Sequence, residues 1–290
     1  MLKVPSLIIG MTIVAMGTSL PETSVSIAAS MNNQNTLAVS NVVGSNIFNL
    51  MVVLGICAVI SKLQVSRDVL KRDYPFSVLC AILLLVCGCI GMELGRIDGI
   101  AFLVIFVGFI VVLIKSAMDA RKRGEISEKE REMNEEMSEM KEQPVWKSII
   151  YIVGGAIAIK YGGDWVVDSA STIATSFGIS ATLVGLTICS VGTSLPELVT
   201  SIVAARKNEL DMAVGNVVGS NVFNILMVLG VAATISPITF LMENVIDIIV
   251  LLVFSLITWV FCITKKEIGK KEGIIMLVLY AIYLVYICLR

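Results

Sequence analysis

Histidine is absent from the 290-residue sequence, and charged residues make up only 16% of it. Without histidine, the chain has no imidazole ligand for zinc or haem and no imidazole base. Its 22 basic and 23 acidic residues leave a net charge of −1, so there is no basic excess for nucleic acid. Apolar residues reach 57%, whereas soluble domains have roughly 45–50%. The composition therefore predicts a single membrane-embedded body.

The seven cysteines all lie in apolar segments, at positions 57, 80, 87, 89, 189, 262 and 288. In such surroundings cysteine usually acts as a small hydrophobic residue. Cys87 and Cys89 are too close in sequence for a standard zinc pair. We therefore predict neither a metal site nor a disulfide from the cysteines.

Long apolar runs fill most of the sequence, and a membrane-spanning helix needs roughly 20 such residues. Scanning for runs of that length gives nine candidate helices, at about 4–30, 36–60, 74–93, 98–118, 147–172, 180–205, 211–235, 244–264 and 273–289. Residues 119–146 are polar and predict a solvated cytoplasmic connector. The expected fold is all-α and polytopic, with four transmembrane helices in residues 1–118 and five in residues 147–290.

Basic residues are concentrated in alternate loops, which predicts the orientation in the membrane. The loops on the same side as the connector carry lysines and arginines at positions 62, 67, 71, 72, 206, 207, 265, 266, 270 and 271. The opposite side carries Arg96 and Arg290. We therefore expect a cytoplasmic N-terminus and an external C-terminus.

The sequence contains an internal repeat at an offset of 175 residues. Gly10–Ser61 aligns with Gly185–Ser236 without a gap, with 29 identities in 52 positions. Polar motifs recur with it: Gly-Thr-Ser-Leu-Pro-Glu begins at Gly17 and Gly192, and Asn-Val-Val-Gly-Ser-Asn begins at Asn41 and Asn216. The loop charges give the two copies opposite orientations, and inverted repeats of this kind are typical of transporters.

Each copy of the repeat places one glutamate, Glu22 or Glu197, inside an apolar helix, where a charged side chain costs at least a few kcal/mol. Threonine and serine precede each glutamate by four and three residues, so a helix would place all three on one face. A proline directly before each glutamate lacks an N–H and frees a carbonyl one turn earlier. We expect nearby carbonyls to turn inward as well. These hydroxyl and carbonyl candidates are Thr18, Ser19, Thr193, Ser194, Ala15 and Ser190.

The second motif contributes a serine and an asparagine four residues apart in each copy: Ser45 with Asn49, and Ser220 with Asn224. Together with the first motif, the donors are carboxylates, hydroxyls, amides and carbonyls. Ca²⁺ takes about 6–8 such oxygens, and two carboxylates balance one divalent charge. Soft metals prefer thiolate or imidazole ligands, and Cys189 is matched by Val14 in the other copy. The expected ligand is therefore a hard cation.

The doubled motifs Gly-Thr-Ser-Leu-Pro-Glu and Gly-Ser-Asn-x-Phe-Asn resemble the α-repeats of the sodium/calcium exchanger branch of the cation/Ca²⁺ antiporter superfamily, in its prokaryotic form. The resemblance implies a Ca²⁺/Na⁺ antiporter in the inner membrane that works by alternating access. Its partners would be Ca²⁺, Na⁺ and the lipid bilayer, with no cofactor, nucleic acid or obligatory protein partner. The family has ten helices in two inverted halves of five, so the expected 4 + 5 arrangement lacks the first.

The resemblance also implies roles for the matching positions. Glu22 and Glu197 would be the central carboxylates shared by Ca²⁺ and Na⁺, and Thr18 and Thr193 would contribute main-chain carbonyls. Serines would line the flanking Na⁺ sites, and asparagines would close the middle of the cluster. These are Ser19, Ser45, Ser194 and Ser220, with Asn49 and Asn224. Some relatives have aspartate in place of Asn224, which leaves K⁺ co-transport open.

Two other functions are also compatible with the sequence. A proton/Ca²⁺ antiporter would use the same carboxylates through protonation. A nontransporting cation-binding protein would retain the site but lack the helix that switches access. An enzyme is disfavoured, because the sequence shows no nucleophile–base arrangement and no P-loop.

Overall fold

The protein is described by a computed structural model that covers residues 14–32, 34–123, 180–265 and 267–290, with Thr12 and isolated positions between 146 and 178. This part of the chain is almost entirely helical, which confirms the predicted all-α class. Most of the predicted helix 147–172, most of the connector 119–146 and the start of the helix 4–30 lie outside the described residues. The count of nine helices therefore stays a prediction.

Between Ala15 and Arg123 and between Ala181 and Arg290, the structure describes thirteen α-helices, four π-helical segments and four short strands. The helices are α1 (Ala15–Thr18), α2 (Leu20–Met31), α3 (Asn35–Phe48), α4 (Leu54–Ile60), α5 (Tyr74–Cys89), α6 (Arg96–Arg123), α7 (Ala181–Val184), α8 (Ser190–Thr193), α9 (Leu195–Arg206), α10 (Leu210–Phe223), α11 (Leu229–Ile235), α12 (Met242–Lys265) and α13 (Lys270–Leu289). The π-helical segments are Asn49–Val53, Val69–Asp73, Gly185–Cys189 and Asn224–Val228. The strands are β1 (Leu63–Gln64), β2 (Glu93–Leu94), β3 (Ile238–Thr239) and β4 (Glu267–Ile268).

Six unbroken helical stretches in the described chain are long and apolar enough to cross a membrane. They are Asn35–Ile60, Val69–Cys89, Arg96–Ser116, Leu210–Ile235, Met242–Thr264 and Lys270–Leu289. Their ends agree with the apolar runs to within about five residues. The largest difference is at residue 69, where the buried Val69 and Leu70 form a π-helical turn ahead of the expected start. α6 also continues to Arg123, into the predicted connector.

The predicted helix 180–205 is broken at Ser194, and its two parts meet at an angle of 42°. Ser194 has a backbone φ of −89° and ψ of 6°, outside the helical region. Ser19, its equivalent in the first copy, has nearly the same angles. Proline follows two residues later and lies in the first turn of a new helix, where no N–H is needed. Each Glu motif therefore spans the junction of two short helices.

Two 26-residue stretches, Asn35–Ile60 and Leu210–Ile235, form the centre of the molecule and are mostly buried inside the protein. At 1.5 Å per residue each is about 39 Å long, more than the roughly 30 Å of a hydrocarbon core. The other four stretches expose much more of their surface. Each central stretch contains a π-helical segment in its middle, a deviation that is frequent at functional sites.

The two halves interlock through reciprocal helix contacts. α4 of the first half packs against α13 of the second, and α11 of the second packs against α6 of the first. Glycines permit these close crossings: a Cβ atom on Gly273 would lie 2.6 Å from the carbonyl oxygen of Gly55. At the equivalent crossing, a Cβ on Gly99 would lie 2.7 Å from the carbonyl oxygen of Gly230. Neither repeat therefore packs as a separate unit.

Two small antiparallel sheets also connect the halves. Strand β1 pairs with β4, with Leu63 opposite Ile268, and β2 pairs with β3, with Leu94 opposite Ile238. Since β1 and β2 lie at the two ends of the helical stretch Val69–Cys89, the sheets lie at opposite ends of the molecule. β1 and β3 occupy equivalent positions of the repeat, which agrees with an inverted arrangement.

Candidate cation site

The two glutamates of the repeated motif are completely buried and face each other's repeat. Ser19 donates a hydrogen bond to Glu197 Oε1 at 2.8 Å, and Ser194 donates one to Glu22 Oε1 at 2.9 Å. A continuous helix would instead place each serine beside the glutamate of its own copy, as the sequence predicts. The difference arises because the chain leaves the helix at the serine, which turns the hydroxyl toward the opposite motif. The crossed pair of hydrogen bonds brings the two carboxylates into one site.

The threonines of the first motif make a second set of contacts between the repeats. Thr18 Oγ1 lies 3.4 Å from Asn216 Oδ1, and Thr193 Oγ1 lies 3.4 Å from Asn41 Oδ1. The amide groups of these asparagines donate in turn to serines of their own copy, Asn216 to Ser201 at 3.0 Å. These asparagines therefore hold the threonine hydroxyls at the interface between the repeats.

The carbonyl oxygens of Ala15 and Ser190 lie next to the motif threonines Thr18 and Thr193. Ala15 O accepts the Thr18 hydroxyl at 3.3 Å as well as the N–H of Ser19. Ser190 O is 3.5 Å from the hydroxyl of Ser45. Each carbonyl therefore faces a hydroxyl group that a bound cation could replace.

The two serines of the second motif differ in their contacts, although the six-residue motif around each of them is identical. Ser220 donates to Glu197 Oε1 at 3.4 Å. Its counterpart Ser45 contacts Ser190 O and the hydroxyl of Thr193, at 3.5 and 3.4 Å. The site is therefore not exactly symmetric, and one carboxylate has an additional hydroxyl partner.

Asn49 and Asn224 are completely buried, and each begins a π-helical segment. Their amide nitrogens donate across the interface between the repeats: Asn49 Nδ2 to Asn221 Oδ1 at 3.3 Å, and Asn224 Nδ2 to Asn46 Oδ1 at 3.1 Å. These hydrogen bonds use the nitrogen end of each amide and leave the oxygen end for another ligand.

Four buried oxygens in this region have no hydrogen-bond partner among the residues that the structure describes. They are Glu22 Oε2, Glu197 Oε2, Asn49 Oδ1 and Asn224 Oδ1. A buried polar atom without a partner costs on the order of 1–3 kcal/mol, and a charged one costs more. Two of these atoms are carboxylate oxygens and two are amide oxygens, which are the ligand types that Ca²⁺ and Na⁺ accept. Oxygens of this kind are candidates to bind a hard cation.

All twelve residues that the sequence predicted for the site are buried: Ala15, Thr18, Ser19, Glu22, Ser45, Asn49, Ser190, Thr193, Ser194, Glu197, Ser220 and Asn224. Hydrogen bonds link most of them directly. No cluster of three or more histidine, cysteine, aspartate or glutamate side chains occurs in the described part of the chain.

Sequence reasoning missed four asparagines that belong to the same network, namely Asn41, Asn46, Asn216 and Asn221. All four are buried, at 2% exposure or less. The available signal was their recurrence at the 175-residue offset, since asparagine is rarely retained twice in an apolar helix without hydrogen-bond partners.

Comparison with known proteins gives a consistent result across sequence and structure. The family model described as "sodium/calcium exchanger protein" matches residues 1–115 and 147–289. The chain is 37% identical over 265 residues to the inner membrane protein YrbG of Escherichia coli, covering 88% of this chain and 79% of that protein. It is 34% identical to the sodium/calcium exchanger MaX1 of Methanosarcina acetivorans, covering 98% of this chain and 89% of the relative.

A solved structure of the sodium-calcium exchanger NCX_Mj, soaked with 2.5 mM Na⁺ and 0.1 mM Ca²⁺, matches with a TM-score of 0.76. The two chains are 31% identical, and the match covers 98% of this chain and 87% of that one. The similarity therefore extends over the helical bundle as a whole as well as over the two motifs.

Proposed function

Because this chain belongs to the sodium/calcium exchanger family, we propose that it is a secondary antiporter that exchanges Ca²⁺ for Na⁺ at the site between the two repeats. The observation that carries this proposal is the group of four buried oxygens without hydrogen-bond partners, two from glutamates and two from asparagines. Two carboxylates match the charge of one Ca²⁺, and Na⁺ ions can replace it. The site lies inside a bundle of apolar helices, as a transport site does.

In this proposal Glu22 and Glu197 bind both cations and Asn49 and Asn224 complete the centre of the site. The motif threonines contribute main-chain carbonyl oxygens. Ala15 and Ser190 contribute carbonyl oxygens, and the four motif serines line the flanking Na⁺ positions. The reaction requires no cofactor, and no covalent step occurs.

Strict exchange follows from the cost of buried charge. When cations fill the site, the carboxylates are neutralised and the protein can switch the side from which the site is open. When the site is only partly filled, uncompensated charge remains in the membrane interior, where it costs several kcal/mol. A bound ion can shift the equilibrium between the two orientations of the site only as far as its affinities for those two orientations differ. The switch therefore occurs with Ca²⁺ or with Na⁺ bound.

We also propose the arrangement of the chain in the membrane. The protein lies in the inner membrane of a prokaryotic cell, with the N-terminus in the cytoplasm and the C-terminus outside. Residues 1–118 and 147–290 form the two halves, and residues 119–146 connect them on the cytoplasmic side. Its partners are the two ions and the surrounding lipid, and no nucleic acid or obligatory protein partner is involved.

Reconstituted vesicles test the exchange directly. The purified protein is placed in liposomes loaded with Na⁺, and uptake of ⁴⁵Ca²⁺ is measured after dilution into Na⁺-free buffer. We expect uptake that requires the outward Na⁺ gradient and is abolished by Glu22→Gln or Glu197→Gln. Glu93→Gln is the matched control, because Glu93 is an exposed residue of strand β2 outside the site.

A separate pH gradient distinguishes the alternatives. Uptake driven by a pH gradient but not by Na⁺ would identify a proton/Ca²⁺ antiporter instead. Ca²⁺ binding without uptake under either gradient would indicate a nontransporting binding protein. Unchanged Na⁺-driven uptake in a variant that carries both Glu22→Gln and Glu197→Gln would contradict the assignment of these glutamates to the transport site.

A further inference from the structure

Asn46 and Asn221 form a reciprocal pair at the point where the two central helices cross. Asn46 Nδ2 donates to the main-chain carbonyl oxygen of Asn221 at 3.2 Å, and Asn221 Nδ2 donates to the carbonyl oxygen of Asn46 at 3.3 Å. Both side chains are buried. Neither belongs to the predicted set of ligands, and neither has an oxygen among the four atoms without partners.

The two hydrogen bonds of this pair determine the orientation of each side-chain amide, that is, which end is the oxygen and which is the NH₂ group. A main-chain carbonyl oxygen can only accept a hydrogen bond, so the end of Asn46 next to Asn221 O must be the NH₂ group. The other end of Asn46 is then the oxygen. The same reasoning applies to Asn221, because its near end faces the carbonyl oxygen of Asn46.

The fixed oxygens in turn determine the orientation of the two amides at the cation site. Asn46 Oδ1 can accept a hydrogen bond but cannot donate one. The end of Asn224 that lies 3.1 Å away must therefore be its NH₂ group. Asn221 Oδ1 places the same requirement on Asn49, at 3.3 Å. The remaining ends of Asn49 and Asn224 are therefore oxygens, and they are the two amide oxygens without partners.

The orientation matters because the two ends of an asparagine amide are nearly identical in shape but opposite in charge. The oxygen end attracts a cation, whereas the NH₂ end repels it. We propose that Asn46 and Asn221 are positioning residues that keep Asn224 and Asn49 with their oxygens toward the transported cation. The inference rests on the proposed function, since it concerns the ligands of that same site.

Each repeat therefore orients the amide ligand of the other. Asn46 of the first repeat acts on Asn224 of the second, and Asn221 of the second acts on Asn49 of the first. The pairing makes a specific prediction about which substitutions interact. Removal of the Asn46 side chain removes the hydrogen bond that orients Asn224. It leaves the hydrogen bond from Asn49 to Asn221 Oδ1 in place.

Aspartate substitutions provide the test, because both ends of a carboxylate are oxygens and no orientation has to be selected. Asn46→Ala is made in three backgrounds: wild type, Asn224→Asp and Asn49→Asp. The dissociation constant for Ca²⁺ is measured on each purified variant in lipid nanodiscs. We expect Asn46→Ala to weaken binding about tenfold in the wild-type and Asn49→Asp backgrounds, the effect of one lost hydrogen bond that holds a ligand.

In the Asn224→Asp background the loss should be absent or reversed, because an oxygen faces the cation whichever way residue 224 turns. The mirror series is the matched control: Asn221→Ala should lose its effect in the Asn49→Asp background and keep it in the Asn224→Asp background. The added negative charge cancels, since each comparison is made within one background.

Equal losses in all three backgrounds would overturn the inference, because a purely structural role of Asn46, or a variant that fails to fold, predicts that result. Binding separates this outcome from a failure of the proposed function. If the wild type binds Ca²⁺ but shows no Na⁺-driven uptake, the exchange proposal fails while the positioning inference is still decided by the binding series. If the wild type binds no Ca²⁺, both fail.

Discussion

At the scale of single residues, the candidate cation site contains hydrogen bonds that cross between the repeats. Each carboxylate accepts a hydrogen bond from a serine hydroxyl of the opposite copy, at 2.8 and 2.9 Å. Hydrogen bonds to charged groups contribute more than neutral ones, about 1.5–3 kcal/mol. They also hold one oxygen of each carboxylate, whereas the other oxygen has no hydrogen-bond partner among the described residues. In the proposed site, the serines would therefore orient the carboxylates in addition to any contact with Na⁺.

Removal of a motif serine should weaken Ca²⁺ binding without unfolding the protein. We expect Ser19→Ala and Ser194→Ala each to raise the Ca²⁺ concentration for half-maximal uptake by roughly tenfold or more, because one carboxylate loses the hydroxyl that orients it. Initial rates of Na⁺-driven ⁴⁵Ca²⁺ uptake over a range of Ca²⁺ concentrations measure the change.

Ser30→Ala is the matched control for this experiment. Ser30 is buried on the same helix as Glu22, and its hydroxyl has no partner among the described residues. Its removal should leave the half-maximal concentration unchanged. If Ser30→Ala and Ser19→Ala had the same effect, the crossed hydrogen bonds would have no specific role in the site.

At the scale of helices and strands, close crossings at glycine hold the two halves together. α13 approaches α4 at Gly273 and Gly55, and α6 approaches α11 at Gly99 and Gly230. The neighbouring atom at each crossing is a main-chain carbonyl oxygen, which cannot turn aside as a flexible side chain can. Any added side-chain atom must therefore move a whole helix.

A methyl group at such a crossing should destabilise the protein. Gly273→Ala and Gly99→Ala place a Cβ atom 2.6 and 2.7 Å from a carbonyl oxygen. We expect each to lower the free energy of unfolding by about 1–3 kcal/mol, the usual cost of overpacking. Thermal unfolding of the purified protein in detergent measures the resulting decrease in Tm.

Gly108→Ala serves as the comparison, because Gly108 lies in the middle of α6 with no atom within 4 Å of an added Cβ. Alanine is the better helix former by roughly 1 kcal/mol, so this variant should be as stable as the wild type or more stable. A decrease in Tm equal to that of Gly99→Ala would mean that the glycine crossings do not limit the packing.

At the scale of the whole molecule, the inverted repeat places equivalent residues at opposite ends. Gln64 in β1 and Thr239 in β3 are 175 residues apart and both exposed, and their sheets lie at opposite ends of the bundle. The loop charges predict that the end with β1 faces the cytoplasm. The two residues therefore form a matched pair for a test of orientation.

Labelling of single cysteines should distinguish the two ends. Gln64→Cys and Thr239→Cys are made in a version without the seven native cysteines, and a membrane-impermeant maleimide is added to intact cells with a permeable outer membrane. We expect rapid labelling of Thr239→Cys and labelling of Gln64→Cys only after the inner membrane is opened. Equal labelling of both in intact cells would contradict the inverted arrangement, and the reverse pattern would contradict the predicted orientation.

The sequence by itself determined that the chain is an all-α membrane protein, where most of its described helices lie, and which ten residues are buried together with the two glutamates. These features depend on local apolar runs and on a repeated motif, and both can be read along the chain. Only the tertiary structure decided the direction of the hydrogen bonds. The break at Ser19 and Ser194 turns each serine toward the opposite carboxylate, and Asn46 and Asn221 are explained only by their meeting across the helix crossing. Such contacts join residues about 175 positions apart, so no local pattern contains them, and the geometry of the packed helices selects each partner.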